Sequence, residues 1–341
     1  MLAPSPENAQ PFRFEWDGAA LHVLHDAPRA RVDAHHHDSL LALGHLLVAA
    51  EIGAEAEGLR ARTQLRVGGD GPWATLRFDA APASPRRLGV LRRRCTDRRP
   101  FRGGSLDHSL RERVRAEAGP DVGLHARAPD DPHLLDWLAS AEGFVWDHES
   151  IYLGVMRWLR VTQRAVEETR DGASWRTMGF DLPELPGLAR LGRPEARRTL
   201  RRLGAATAAG LWVRRQARSA GALVLVTVRR PGREPLVSAG RAMMGAWLAF
   251  TEADWGVQPH SQPSFFVHEA VRGTLPPEVG DRWRRRLLAG AEVLRSSFAL
   301  DPDEVPVELL RVGVSDSPPE WRRTLRRPVE AVLVESGGEA R

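Results

Sequence analysis

SLLALGHLLVAAEI, residues 39–52, and PLVSAGRAMMGAWL, residues 235–248, sit near opposite ends of the chain and carry a glycine at the same place. Set one over the other, Gly44 falls on Gly240, and small or apolar residues stay in register for about three helical turns. A mid-helix glycine costs roughly 1 kcal/mol relative to alanine, so two at equivalent places point to close helix packing or close backbone approach. The pair predicts two buried helices in a degenerate tandem whose first copy is abbreviated. The Pro- and Ser-containing stretch APASPRR (81–87) sets the boundary, giving a first half over 11–85 and a larger one over 86–341.

Outward from these helices, FRFEWDGAALHVLHD (12–26) alternates apolar and polar residues around Asp-Gly and reads as a hairpin of two short strands. LRARTQLRV and WATLRFDA read as strands separated by GGDG. SLDHSLRERVRAEAG is a helix with Ser105 as its cap, and DPHLLDWLASAEGFVWDHESIYLGVMRWLR gives two more. ALVLVTV (222–228), VELLRVGVSD and RRPVEAVLV supply strands toward the end. The segment 171–195 is broken by Pro and Gly and is long enough to serve as a cover rather than a turn.

The 341 residues, 42% of them hydrophobic, suffice for a real core. All 49 basic residues are arginine, which excludes a P-loop lysine, a pyridoxal Schiff base and a lysine general base. A net charge of +5 is modest and spread along the chain, and no interleaved aromatics or nucleic-acid module accompany the arginines, so no nucleic-acid partner is expected. ALVLVTV falls short of the roughly 20 residues that cross a bilayer, so no membrane span is expected. One cysteine and an N-terminus without a signal-peptide pattern lead to an expected cytoplasmic location.

LRRRCTDRRPF (91–101) places five arginines within eight positions around Thr96. Taken alone, such a run reads as solvated surface or as a grip on an anion, and the sequence leaves both open. In AHHHDSLLALGH, consecutive histidines cannot all face one ion, so His35, His36, His37 and His45 are read as a polar helix start without a metal, capped by Asp38 or Ser39. Neighbouring arginines would lower the pKa of Cys95, but no histidine close in sequence serves it as a base.

The order RRRCTDRRPF, helix, glycine-containing buried helix, WGVQPHSQP, LLRVGVSD and RRPVEAVLV resembles the FMN-dependent nitroreductase family. With the WDG hairpin and LLALGHLL, it is more narrowly similar to the Acg-type tandem branch, over about Pro11 to Val334. The resemblance implies an α+β, nitroreductase-like fold with a central, mostly antiparallel sheet flanked by helices. It further implies that the tandem forms an intrachain pseudo-dimer and so a monomer. By the same resemblance Arg94, Thr96 and Arg98 would hold the FMN phosphate and ribityl chain, with Arg326 and Arg327 beside the phosphate. A turn at WGVQPHSQP would bring the backbone of Gly256 and Val257 near the flavin N5. Cys95 replaces a frequent family arginine, and the usual ring-side Asn is missing: the one Asn, Asn8, lies in an N-terminus expected to be loose.

The implied activity is hydride transfer from NADH or NADPH, through FMN, to a small electrophilic acceptor such as a nitroaromatic or quinone. No catalytic side chain is required, because the flavin carries the redox chemistry. The alternative is a non-catalytic FMN-binding or FMN-sequestering protein in which the 171–195 cover closes the nicotinamide space.

Overall fold

The computed structural model describes residues 3–30, 35–174, 176–178, 190–316 and 323–335. The chain opens with the hairpin β1 (Phe12–Trp16) and β2 (Ala20–His25). Asp17 Oδ1 accepts the N–H groups of Ala19 and Ala20 at 2.8 and 2.7 Å, and Gly18 takes the left-handed φ of 91° that the turn needs. α1 (His37–Ala56) follows, then the hairpin β3 (Leu59–Leu65) and β4 (Ala74–Ala80). The expected connector 81–87 is shorter than read, since α2 (Arg86–Arg93) starts within it.

α3 (His108–Ala116) is capped by Asp107, whose carboxylate accepts from Leu110 N at 2.7 Å, and not by Ser105. Gly103 and Gly104, both at positive φ, turn the chain just ahead and delay the helix start. After β5 (Val122–Arg127), the two expected helices are three: α4 (Pro132–Ala141), α5 (Gly143–Asp147) and α6 (Glu149–Met156). The extended backbone of His148 divides the last two. The short strands β6 (Leu159–Arg160) and β7 (Ala173–Ser174) pair in parallel around α7 (Gln163–Thr169). Then come α8 (Pro194–Arg202), α9 (Ala205–Arg218), β8 (Ala222–Val228) and α10 (Arg233–Glu252). The remaining elements are β9 (Trp255–Pro259), α11 (Ser261–Arg272), α12 (Asp281–Phe298), β10 (Val305–Val314) and β11 (Leu333–Glu335).

The fold is α+β with mostly antiparallel strands, divided between two main sheets. One has the order β11-β1-β2-β4-β3, with only β11 parallel to its neighbour; the other is β5-β8-β10-β9, antiparallel throughout. Residues of β8 alternate between two cores: Val224 and Val226 face α1 and α10, while Leu223 and Leu225 face the layer of α4, α9, α11 and α12. Burial on both faces explains why this strand is a continuous apolar run.

At the crossing of α1 and α10 the two aligned glycines meet. A Cβ on Gly44 would lie 2.2 Å from Val237 O, and one on Gly240 would lie 2.2 Å from Leu41 O. The helices touch backbone to backbone there. One buried cluster runs from Phe12 and Val23 through Leu43 and Val237 to Val226 and Leu310, and β11 from the far end of the chain joins the first sheet, so both the core and that sheet cross the boundary at residue 85. α1 corrects the reading that no stretch is long and apolar enough to span a membrane: by length and composition it is, and most of it is buried inside the protein.

Candidate functional site

The loop after α2 runs along β9, where Thr96 bridges Val257 and Asp97 N donates to Val257 O at 2.9 Å. This path sorts the five arginines. Arg93 pairs with Asp254 at the surface, 2.9 Å away. Arg99 folds back on the buried Asp97, donating from Nε and Nη2 at 2.9 and 2.8 Å and holding its carboxyl below the usual range. Arg92, Arg94 and Arg98 instead line a recess of about 100 Å³, joined there by Arg323 and Arg326. Glu7 is the one carboxylate in the lining.

Arg94 is buried, and Arg326 repels it. Arg94 lies over the Trp247 ring of α10, 4.6 Å from its centroid, and is pushed down to about 9, first by burial and then by Arg326. Burial pushes Arg326 down to about 10. Its Nη1 donates to Asn8 Oδ1 at 2.7 Å, while its Nε meets no acceptor among the described residues. Burial and mutual repulsion of guanidiniums are costly, and a dianion seated here would offset both.

Asn8 is not in a loose terminus. It is buried, and its Nδ2 donates to Gly172 O and Leu325 O, each at 3.0 Å. Glu7, Asn8 and Gln10 all hold left-handed φ values of 45–57°, so the segment is fixed against its preference.

Thr96 and Arg98 also line a cavity of about 430 Å³, within the range of small-molecule sites. Its walls are largely apolar, with Leu138 of α4, Val145 of α5, Met243 and Trp247 of α10 and Phe266 of α11 among them. Polar and charged residues also line it, among them Arg98, Glu142, Gln216, His260, Glu308 and Arg311. Arg98 Nη1 donates to Thr177 O at 2.9 Å, and Gln216 Nε2 donates to Arg98 O at 3.2 Å. The buried Gln216 Oε1 has no donor among the described residues. Burial pushes Glu142 up to about 7 and Glu308 up to about 8, and pushes the imidazole of His260 down to about 4.

Other expected positions fall elsewhere. Gly256 and Val257 belong to strand β9 rather than a turn. The register Gly256↔Gly313 and Val257↔Val312 encloses Gly256 against Phe101 and Ser315 and buries Val257 in the core. Neither lines the cavity, whereas Gln258 to Gln262 do. Arg327 also lies off it, donating to Ala331 O at 2.7 Å. For Cys95, burial outweighs the nearby arginines and raises the thiol, contrary to the lowering expected. The consecutive histidines diverge: His36 packs against Trp73 and His25, His37 against Phe265 and His268.

Of the 171–195 segment, 175 and 179–189 lie outside the described residues. Its beginning is anchored by Asp171, held by Arg29 and by Arg160 Nε at 3.0 Å, and Met178 lines the cavity. Sequence reasoning missed Trp247, Gln216, Glu142, Glu308, His260 and Arg323. Only Glu308 carried a signal, as a lone acid inside the apolar strand VPVELLRVGV.

No family model and no curated protein matches the chain. Among solved structures it is similar to the FMN and NADPH-dependent nitroreductase NfnB of Sphigopyxis sp. strain HMH, at 15% identity and TM-score 0.39 over 74% of this chain and 99% of that one. It is also similar to a nitroreductase with bound FMN from Desulfitobacterium hafniense DCB-2, at 9% identity and TM-score 0.39 over 73% and 96%. A nitroreductase-like family protein of Bacillus cereus matches at 12% identity and TM-score 0.37 over 74% and 96%.

Proposed function

We propose that the chain is an FMN-binding oxidoreductase of nitroreductase type, taking hydride from NADH or NADPH and passing it to a small electrophilic acceptor. The observation that carries this reading is a five-arginine recess that shares lining residues, Thr96 and Arg98 among them, with a larger cavity, an arrangement suited to a phosphate joined by a short polar chain to a flat ring. Arg94, Arg323 and Arg326 would hold the phosphate, and Arg98 with Thr96, which line both spaces, would meet the ribityl chain. Gln216 Oε1, without a donor among the described residues, is an acceptor suited to a ring N–H, a role the missing family Asn leaves open. When bound, the flavin supplies reversible two-electron chemistry; the protein holds and orients it and excludes water.

In this reading the α1/α10 crossing stands for the subunit interface of dimeric nitroreductases, and the chain is a monomer with one FMN. Met178 on the cavity wall favours a second reading, in which the segment around it closes the nicotinamide space and the protein sequesters flavin without turnover. Purified protein is expected to be yellow or to take up one FMN per chain, and a colourless protein that ignores added FMN overturns both readings. Bleaching of bound flavin by NADPH separates them: the enzyme reading requires it, and its absence leaves sequestration.

A further inference from the structure

Away from the arginine end, the cavity carries a pair of side chains that holding FMN does not use. Glu142 sits at the junction of α4 and α5, and no hydrogen bond to its carboxyl is found among the described residues. His260 Nε2 lies 3.8 Å from its Oε1 and is itself buried without a hydrogen-bond partner among the described residues. His260 is held where β9 passes into α11, so the two groups come from different elements. Glu308, beside the shift in register of β10 at Pro306, lines the same cavity, but its carboxyl is already engaged by Leu309 N at 3.2 Å. Gln216, 6% exposed and with Oε1 unpartnered, lines it as well. A carboxyl left without a donor beside an imidazole without an acceptor, on a cavity wall, is an arrangement for ligand chemistry rather than for packing.

We infer that Glu142, with His260 beside it, is the acid that gives a proton to the oxygen of the acceptor as it is reduced. The inference rests on the flavin reading of the cavity. It applies to an acceptor whose reducible centre carries a carbonyl or nitro oxygen. In the balanced step a quinone gains a hydride, supplied through the flavin by NADH or NADPH, at one oxygen and the proton of Glu142 at the other. Hydroquinone and the Glu142 carboxylate result, and solvent restores the proton through His260.

The neutral form needed of Glu142 is present at physiological pH, because burial pushes it up to about 7, and His260, held down to about 4, is uncharged. The other titratable and charged side chains lining the cavity are Glu7, Arg29, Asp38, His45, Arg98, Glu308 and Arg311, of which Arg311 acts on His260; α6 and α9 contribute no charged side chain to the lining.

The test compares wild type with Glu142→Gln after each is loaded with FMN and reduced. Reoxidation by para-benzoquinone is followed by stopped flow across pH 6 to 9. In wild type the rate should fall about tenfold per pH unit above roughly 7; in Glu142→Gln it should be roughly 100-fold slower at neutral pH and independent of pH. FMN affinity and reduction by NADPH should agree within about twofold. Equal reoxidation rates, or a flat wild-type profile, overturn the inference; the wild-type profile decides alone should the variant not fold. Carbon-13 NMR of glutamate carboxyls in FMN-free protein gives a second readout: a resonance titrating near 7 that Glu142→Gln removes. Its absence also overturns the inference, whereas failure of wild type to bind FMN overturns the flavin reading and leaves the NMR result standing.

Discussion

A run of five arginines is one feature in the sequence and three in the structure. Arg93 meets Asp254 at the surface, Arg99 neutralises Asp97, and the other three enter the recess. Arg94→Ala and Arg326→Ala should each weaken FMN binding by about 1.5–3 kcal/mol, the range for a hydrogen bond to a charged group, as read by fluorescence titration. Arg99→Ala should behave oppositely: FMN affinity holds, while the midpoint of chemical denaturation falls because Asp97 is left buried without its partner. The sequence could not make this division, since it depends on which carboxylates the folded chain brings near. Arg326 is a case in point: its neighbour Asn8 comes from the other end of the molecule.

At the scale of the element, the aligned glycines carry the most weight. Gly44→Ala would set a methyl group 2.2 Å from the Val237 carbonyl oxygen, backbone that cannot swing aside as a side chain can. The helices must part, with an expected loss of about 1–3 kcal/mol or more in denaturant unfolding. Because α10 presents Trp247 to both Arg94 and the cavity, FMN affinity should fall with stability in this variant. Gly53, near the end of the same helix, has open space where a Cβ would sit, with nothing within 4 Å. It is the control, and Gly53→Ala should be neutral or stabilising. An equal loss in both variants would show that the crossing is not the cause. Here the sequence was legible, because a glycine inside a helix is unfavourable unless something approaches closely, and recurrence at an equivalent place marks what approaches.

For the whole molecule, the buried titratable groups set a pH profile. His45, His260 and His268 have folded-state values pushed down by burial to about 3, 4 and 4, so the stability they confer is present above about 6.5 and is lost as pH falls. Glu142 and Glu308 are raised, so theirs is present below about 4.5 and is lost as pH rises through about 7 and 8. The opposed signs should give a Tm that peaks near about pH 6.5 and declines toward 8, and Glu308→Gln should flatten the alkaline side in a calorimetric series. Light scattering is expected to report a monomer with or without FMN, and a stable homodimer would contradict the pseudo-dimer proposal.

What the sequence determined by itself was local or periodic. The Asp17-Gly18 hairpin, the apolar strand β8, the buried helices α1 and α10 and their matched glycines each follow from residue spacing and backbone preference within a short window. What only tertiary structure decided was every pairing across distance: Asn8 on Arg326, His260 facing Glu142, Trp247 under Arg94 and the sorting of the arginines. The placement of Gly256 and Val257 also belongs here, since the pairing of β9 with β10 set Gly256 against Phe101 and Val257 in the core and left the cavity to the residues that follow. The physical reason is one of range. Backbone conformation and hydrophobic periodicity act over a few residues, whereas burial, charge and cavity shape arise only where segments far apart in the chain are packed together.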